Sequence, residues 1–488
     1  MTPGNWTPVG PPDGSGNVVV DNGGTAVLAP GSGTYGGSTI NLGSTRGTGA
    51  LVVTGATLTT GGLSIGDNNT GSLTLNNATV SAGYYNVIDI GLGGNGNGLV
   101  TINGGSLISN QYLNVGSTGK GTLILNSGQV QAGTNWSVRI GEQAGSNGHV
   151  IVNGGVFRGS VGLDNFVVGR SGVGLLEVHN NGIVNTSWTF VGGEYRDGNT
   201  PTSSGGTGTI ILNDDALLTS ADGIVIGGQG SKGDVTANDR SRITSSVDIY
   251  VGYGGPGTLT LNGAQASATG SYYVGYTGQG VLTLDGGRAS GARAIIGSQG
   301  GSTGTLRITN GGVFTIDGGT VGSATNAVGS ALVSGAGSEW RVNGILYFGG
   351  NGQGTLTLQN GGKATVTSDI SLGPGAGKGV VNIGSAAGQA PVAPGTVDGP
   401  SVVFGPGTAE LNFNHTSANY VFSPALNSSA AGTQSVSNYA GKTTLTGATP
   451  IIKGESMYTA VNSPWMRPRP RVPRTWVREA YSSTAMGC

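Results

Sequence analysis

Apolar and polar residues alternate in short runs that recur along the whole chain. A Gly opens each run, and the second and fourth residues after it are apolar: Leu73/Leu75, Leu123/Leu125, Val150/Val152, Leu259/Leu261, Leu306/Ile308 and Leu356/Leu358. Thr often stands between them, as at Thr74, Thr101, Thr260, Thr283 and Thr357. Period two marks a strand with one buried face. The opening glycines run from Gly49, Gly71, Gly98 and Gly121 to Gly354 and Gly379, mostly 22–27 residues apart, with one interval of 34. A second run closes each copy at an apolar residue followed by Gly, at Ile65, Ile90, Val115, Ile140, Val168, Val191, Ile226, Val251, Val274, Ile296, Val321, Phe348 and Leu372. Two places earlier the residue is usually apolar again, and the residue between varies. This strand too has a fixed inner face and a free outer one. Turn signals such as Asn103–Gly105, Asn153–Gly155 and Asn310–Gly312 separate the runs, because Gly and Asn accept the positive φ of tight corners. No stretch carries a helical period with a cap.

A unit of about 24 residues cannot bury its own core, so the copies must stack and pair strand on strand. The pattern predicts an all-β, right-handed parallel β-helix, a β-solenoid of roughly 14–17 rungs. At about 4.8 Å per rung it would be a rod of roughly 65–80 Å. A β-propeller fits less well, since its blades take about 40–50 residues and four strands. The expected division is a solenoid start over 1–48, the tandem repeat over 49–383, a linker and late segment over 384–448, and a basic Pro/Arg tail over 449–488, expected to be disordered.

Composition changes this picture little. Gly supplies 99 of 488 residues, without the triplet period of collagen. Only 9% of residues are charged. The formal charge of −1 hides a split: Thr449–Cys488 holds six Lys/Arg and two acids, and the rest has 16 basic and 21 acidic residues, net −5. No basic face suggests nucleic acid. The single Cys, Cys488, excludes disulfides and Cys-type metal sites upstream. The opening segment lacks the basic start and apolar stretch of a signal peptide. No apolar run is long enough for a transmembrane helix.

The phrases G-T-L-T-L-N-G at Gly257–Gly263 and Y-V-G-Y resemble a repeat of bacterial autotransporter passengers, over about 49–383. The segment Gly407–Ala448 looks like the late passenger part of large autotransporters, with an L-x-F-N-H-T phrase at Leu411–Thr416 and a G-x-T-x-L-T-G phrase at Gly441–Gly447. The opening GNWTPVGPPDGSG also resembles that family, with Trp6 expected to cap the first rung and Val18–Val20 to form its first strand. The resemblance implies a self-exported protein of the cell surface or outer membrane, carried by a C-terminal translocator barrel. No barrel strands follow Ala448. Instead come three of the four Met, the Cys and Arg467–Arg471, so residues from about Thr449 read as foreign or out-of-frame sequence.

Candidate chemistry is sparse. Enzymatic β-helices cluster carboxylates on one outer face. Here the adjacent pair is Asp214–Asp215, near Asp222, where other copies read Asn-Gly; a polar corner is the expected role. His149, His179 and His415 lie in different rungs and read as scattered surface residues. No tandem calcium-binding G-G-x-G-x-D array occurs, and Gly91–Gly98 leads into no helix, so metal, nucleotide and other cofactors are not expected. An ice-binding Thr array would be interrupted at Ile124, Ile151, Glu177, Ile211 and Arg307. The Pro-alternating Arg467–Arg474 run reads as an accident of the tail rather than a ligand.

One outward column stands apart. The slot two residues before each closing Gly reads Ser64, Asp89, Asn114 and Arg139, then Val167, Phe190, Val225, Tyr250, Tyr273 and Ile295, then Thr320, Tyr347 and Ser371. Six successive apolar or aromatic residues would stack into a stripe. That stripe is the candidate binding surface for a host surface or glycan, unless the long Gly192–Gly206 insert covers it or it is merely a stabilising ladder. The sequence thus reads as a structural and adhesive rod rather than an enzyme. The alternatives are a carbohydrate-active β-helix, which three acids within about 6–9 Å on one face would favour, and a non-functional fragment of a surface protein.

Overall fold

The computed structural model describes residues 16–30, 34–83, 87–132, 137–159, 165–196, 200–203, 205–447 and 454–460. Among these every regular element is a strand, and apart from the antiparallel pair Glu194–Arg196 and Thr200–Ser203 the strands stack in parallel into a β-solenoid of about 16 turns. Each turn has an opening, a middle and a closing strand. Opening strands pair only with opening strands: Gly257–Asn262 lies on Gln279–Asp285, with Gly257 opposite Gly280 and Leu259 opposite Leu282. Middle and closing strands form two further ladders. Several bent strands serve both, as Thr57–Asp67 does in pairing Thr57 with Thr79 and Leu63 with Ile88.

Alternation drives this arrangement. Leu259, Leu261, Leu282 and Leu284 point inward and are buried, while Thr258, Thr260 and Thr283 between them stay partly exposed. Core volume is shared across the turn. Where the middle strand offers Ala266 and Ala289, the closing strand supplies Tyr272, whose ring meets Phe314 edge-on at 5.2 Å. Phe314 stacks on Trp340 at 6.3 Å, and Trp340 meets Phe348 at 6.4 Å. A small residue in one wall is thus matched by a large one in another, which keeps the interior dense.

Two glycines per turn set the third corner. Gly116 closes one turn with φ +70, a region that Gly enters without steric cost. It delivers the chain to Gly121, where a Cβ would lie 2.2 Å from both the Gly116 nitrogen and the Ile90 carbonyl oxygen. The opening glycine is thus required sterically, and the closing glycine on both counts, since a Cβ on Gly116 would also lie 2.3 Å from the Asn147 carbonyl oxygen.

The first corner carries a side-chain ladder. Asn103 donates to Asn76, Asn126 to Asn103 and Asn153 to Asn126, at 3.1, 2.8 and 2.8 Å. It resumes at Asn213, Asn238 and Asn262. Asn103 and Asn153 are turn signals in the sequence; in the ladder their amides also bind successive turns together.

The stack does not stop at residue 384. Lys378–Gly384 pairs with Thr408–Asn414, which pairs with Gly432–Ala440, so the expected linker and late segment continue the rod. Gly454–Ala460 adds one more strand against Gly432–Asn438. Part of the segment read as foreign and disordered is thus in register with the solenoid. As expected, Val18–Val20 forms the first described strand, and it pairs with Ile40–Leu42 in the closing ladder. Trp6 lies outside the described residues, as does the Arg467–Arg474 run.

Candidate functional site

The outward column forms in the register expected. Arg139 pairs with Val167, Val167 with Phe190, Phe190 with Val225, Val225 with Tyr250, Tyr250 with Tyr273 and Tyr273 with Ile295. Accessibility splits it in two. Val167, Phe190 and Val225 are only 0, 2 and 4% exposed, and pack with Trp188, Tyr250 and Tyr253 as a second small core. The Trp188 ring stacks on Phe190 at 5.8 Å. Gly223, opposite Trp188 in the ladder, makes room for it, since a Cβ there would lie 2.5 Å from the indole. The lower three members of the expected binding stripe are therefore not surface; apolar neighbours close over them. Tyr250, Tyr273 and Ile295 remain half-buried.

The phrase Y-V-G-Y explains what lies there. It occurs at Tyr250–Tyr253 and again at Tyr273–Tyr276. Positive φ at Gly252 and Gly275, +75 and +71, turns the second Tyr of each phrase back toward the first. Stacking the two turns brings four rings together. Tyr250 stacks on Tyr273 at 4.7 Å with planes 6° apart, and Tyr253 on Tyr276 at 5.0 Å. The two stacks meet edge-to-face at 5.3–5.5 Å. Edge-to-face and offset contacts are the favoured aromatic geometries. The ring faces between the two turns are consumed by stacking, so the array turns ring edges and hydroxyls outward.

The Tyr250 hydroxyl donates to Asp248 Oδ2 at 3.1 Å, and Asp248 Oδ1 accepts the Ser271 N–H at 2.6 Å. Burial, followed by the Asp248 charge, pushes the Tyr250 hydroxyl well above its ordinary range. Burial raises Tyr253 and Tyr273 too. These three are neutral phenols at pH 7. Beyond them along the same face lies a shallow groove of about 510 Å³, lined by Arg293, Ile295, Asp317, Thr320, Ile345 and Tyr347. Tyr347, 36% exposed, pairs with Thr320 and continues the column.

Below the apolar segment the column is ionic, which the sequence reading did not single out. Asn114 donates to Asp89 Oδ1 at 2.9 Å. Arg139 reaches Glu142 at 3.0 Å and Glu194 at 3.9 Å, and lies over the Tyr112 ring at 4.3 Å. Arg170 holds the other Glu194 oxygen at 2.5 Å, and the Ser117 hydroxyl donates to Glu142 Oε2 at 3.0 Å. Burial alone would raise Glu194, but Arg139 and Arg170 outweigh it and hold the carboxyl below its usual value. Burial pushes Asp89 the other way, upward, against hydrogen bonds from Asn114 and Ser117. Glu142 and Glu194 are 8 and 4% exposed, and both are engaged by arginine. The signal was present at Asp89, Asn114 and Arg139, but Glu142, Arg170 and Glu194 come from turns after the closing Gly.

The other candidates do not converge. Asp214 and Asp215 occupy a corner with φ of 54° and 64°, and Asp215 is held in a fork by Arg240. Asp222 accepts from Ser187 at 2.7 Å. His149 meets Glu177 at 2.8 Å, and His179 approaches Asn213 at 3.3 Å. His415 is not a surface residue: it is fully buried, against Thr443 Oγ1 at 2.8 Å, and burial lowers its pKa. Among the described residues no group of three or more His, Cys, Asp or Glu could hold a metal ion, and no helix is long and apolar enough to cross a membrane. No family model matches the chain, and no curated protein does so either.

Proposed function

We propose that the chain is the passenger of a bacterial autotransporter, a rod that displays an adhesive face at the cell surface. The observation that carries this reading is the tyrosine array at Tyr250, Tyr253, Tyr273 and Tyr276 with its adjoining groove. Here four half-buried aromatic rings stand on one face, next to a groove that Arg293, Ile295 and Asp317 line. Neutral phenol hydroxyls and ring edges next to a carboxylate and a guanidinium suit a polyhydroxylated ligand, which offers donors, acceptors and C–H edges. The backbone ladder holds the array rigid, so binding would cost little ordering. The resemblance of Leu411–Thr416 and Gly441–Gly447 to late passenger segments supports the surface setting. A carbohydrate-active enzyme would need two carboxylates facing a sugar ring, whereas Glu142 and Glu194 are engaged by Arg139 and Arg170.

The test is a Tyr273→Ser/Tyr276→Ser double variant on a glycan array and on cultured-cell surfaces. Binding should fall by about tenfold or more with an unchanged circular dichroism spectrum. Equal binding by the folded variant would remove the array from the function.

A further inference from the structure

A second face of the rod carries a different chemistry. The outer side of the middle strands has two columns. One reads Arg242, Gln265, Arg288 and Val313, in paired register. The other reads Thr244, Ser267, Ser290, Thr315 and Arg341. Long residues therefore stand along one side of a line of short hydroxyl residues, with Arg341 across its end. The result is a groove of about 370 Å³ that runs along the rod axis. Among the described residues no acidic one lines it.

Its arginines differ in their partners. At one end Arg341 is held by Glu339; outside the groove, Arg240 is held by Asp215. Arg242 and Arg288 are exposed and form no ion pair within 4 Å of a described carboxylate; Asp215, held by Arg240, feels the Arg242 charge only at longer range. The contrast matters because the chain before Thr449 is net −5. Two unpaired guanidinium groups over a floor of hydroxyls run against that average. They are two rungs apart, about 9.6 Å at the usual strand spacing.

We infer that this groove binds a linear acidic polysaccharide laid along the rod, with its carboxylates or sulfates on Arg242 and Arg288. Guanidinium forks match both anions. Ser267, Ser290 and Thr244 meet the sugar hydroxyls between the charges. The fixed spacing of two rungs selects a polymer whose charges repeat at that interval, so an alternating chain is preferred to an isolated anion. Single-stranded nucleic acid is the poorer match, because no aromatic ring lines the groove to stack a base.

The experiment measures binding of the purified chain to heparin, polygalacturonate, neutral dextran and random-sequence single-stranded DNA across a salt series. Heparin or polygalacturonate should bind, with affinity falling as salt rises, and dextran should not. Preference for one over the other identifies sulfate or carboxylate as the anion. Arg242→Gln/Arg288→Gln should lose tenfold or more in affinity and show a shallower salt dependence. Arg307→Gln, an equal kind of charge loss on the opening-strand face, should bind as before. The Tyr273→Ser/Tyr276→Ser protein should also bind as before, which separates this groove from the tyrosine array. The inference is overturned if neither polyanion binds, if Arg307→Gln weakens binding as much as the paired variant, or if the DNA binds as tightly as the polysaccharides.

Discussion

Gly280→Val is expected to break the rod into two weakly joined blocks. A Cβ at this position would lie 2.1 Å from the Val251 carbonyl oxygen and 2.2 Å from the Gly275 nitrogen. Both are backbone atoms, so no side chain can swing away. Either the turn shifts from its neighbour or the pairing of Gly257 with Gly280 opens. A steric change of this kind sits at the severe end of point mutations, on the order of 3–5 kcal/mol. In a solenoid the loss falls on one nearest-neighbour interface rather than on the whole molecule. Thermal unfolding should therefore split into two transitions, and limited proteolysis should cut first near residues 275–285. Thr283→Ser, on the outer face of the same strand, should leave both readouts unchanged. A single unshifted transition for Gly280→Val would show that these glycines are not sterically required.

Arg139→Ala should cost about 2–4 kcal/mol at neutral pH, somewhat below the usual penalty for breaking a buried ion pair because Arg170 still holds Glu194. The cost should depend on pH. Glu194 is held below its ordinary pKa, so its stabilising contribution is complete above the ordinary glutamate value and is lost as pH falls through the depressed one. Without Arg139 the carboxyl rises, and protonation relieves the uncompensated charge. The gap between variant and parent should thus narrow from pH 7 to about pH 4. Asp89 works in the opposite sense. Its carboxyl is held high, so it favours the fold below the ordinary aspartate value and loses that contribution as pH rises through the raised one. Denaturant midpoints at the two pH values would measure the difference. A gap that does not change with pH would assign Arg139 a packing role alone, through its contact with Tyr112.

The period-two reading located the ladders closely, and even the outward column from Val167 to Ile295 stands in the register the spacing implied. Which of its members meet solvent was not legible. A residue that points away from a strand is exposed only if nothing returns over it. Trp188 does return, because Gly223 leaves it space, and so does Tyr253, because Gly252 reverses the chain. The ionic network escaped for a related reason. Arg139 lies in a strand whose direction can be read, whereas Glu142 and Arg170 sit in corners that carry no period and Glu194 opens a short strand outside the repeat. His415 was misplaced where the spacing of opening glycines lapses after Gly379. The strands there still stack, but the register cannot be counted from the sequence. The Arg242 groove was hidden differently. Its successive residues are 23 to 26 apart along the chain and become neighbours only once the turns are laid on one another.

The direction of the hydrogen bonds has a mechanical consequence. Strands lie across the rod, so their bonds to neighbouring turns run along it. Tension applied end to end would load these interfaces in series rather than shear them side by side. The turn at the weakest interface would peel first, paying out the 23 residues between stacked positions such as Gly257 and Gly280, and the next would follow. Such a rod would yield in small, separate steps and absorb work as it lengthens, while the turns not yet reached keep their faces intact.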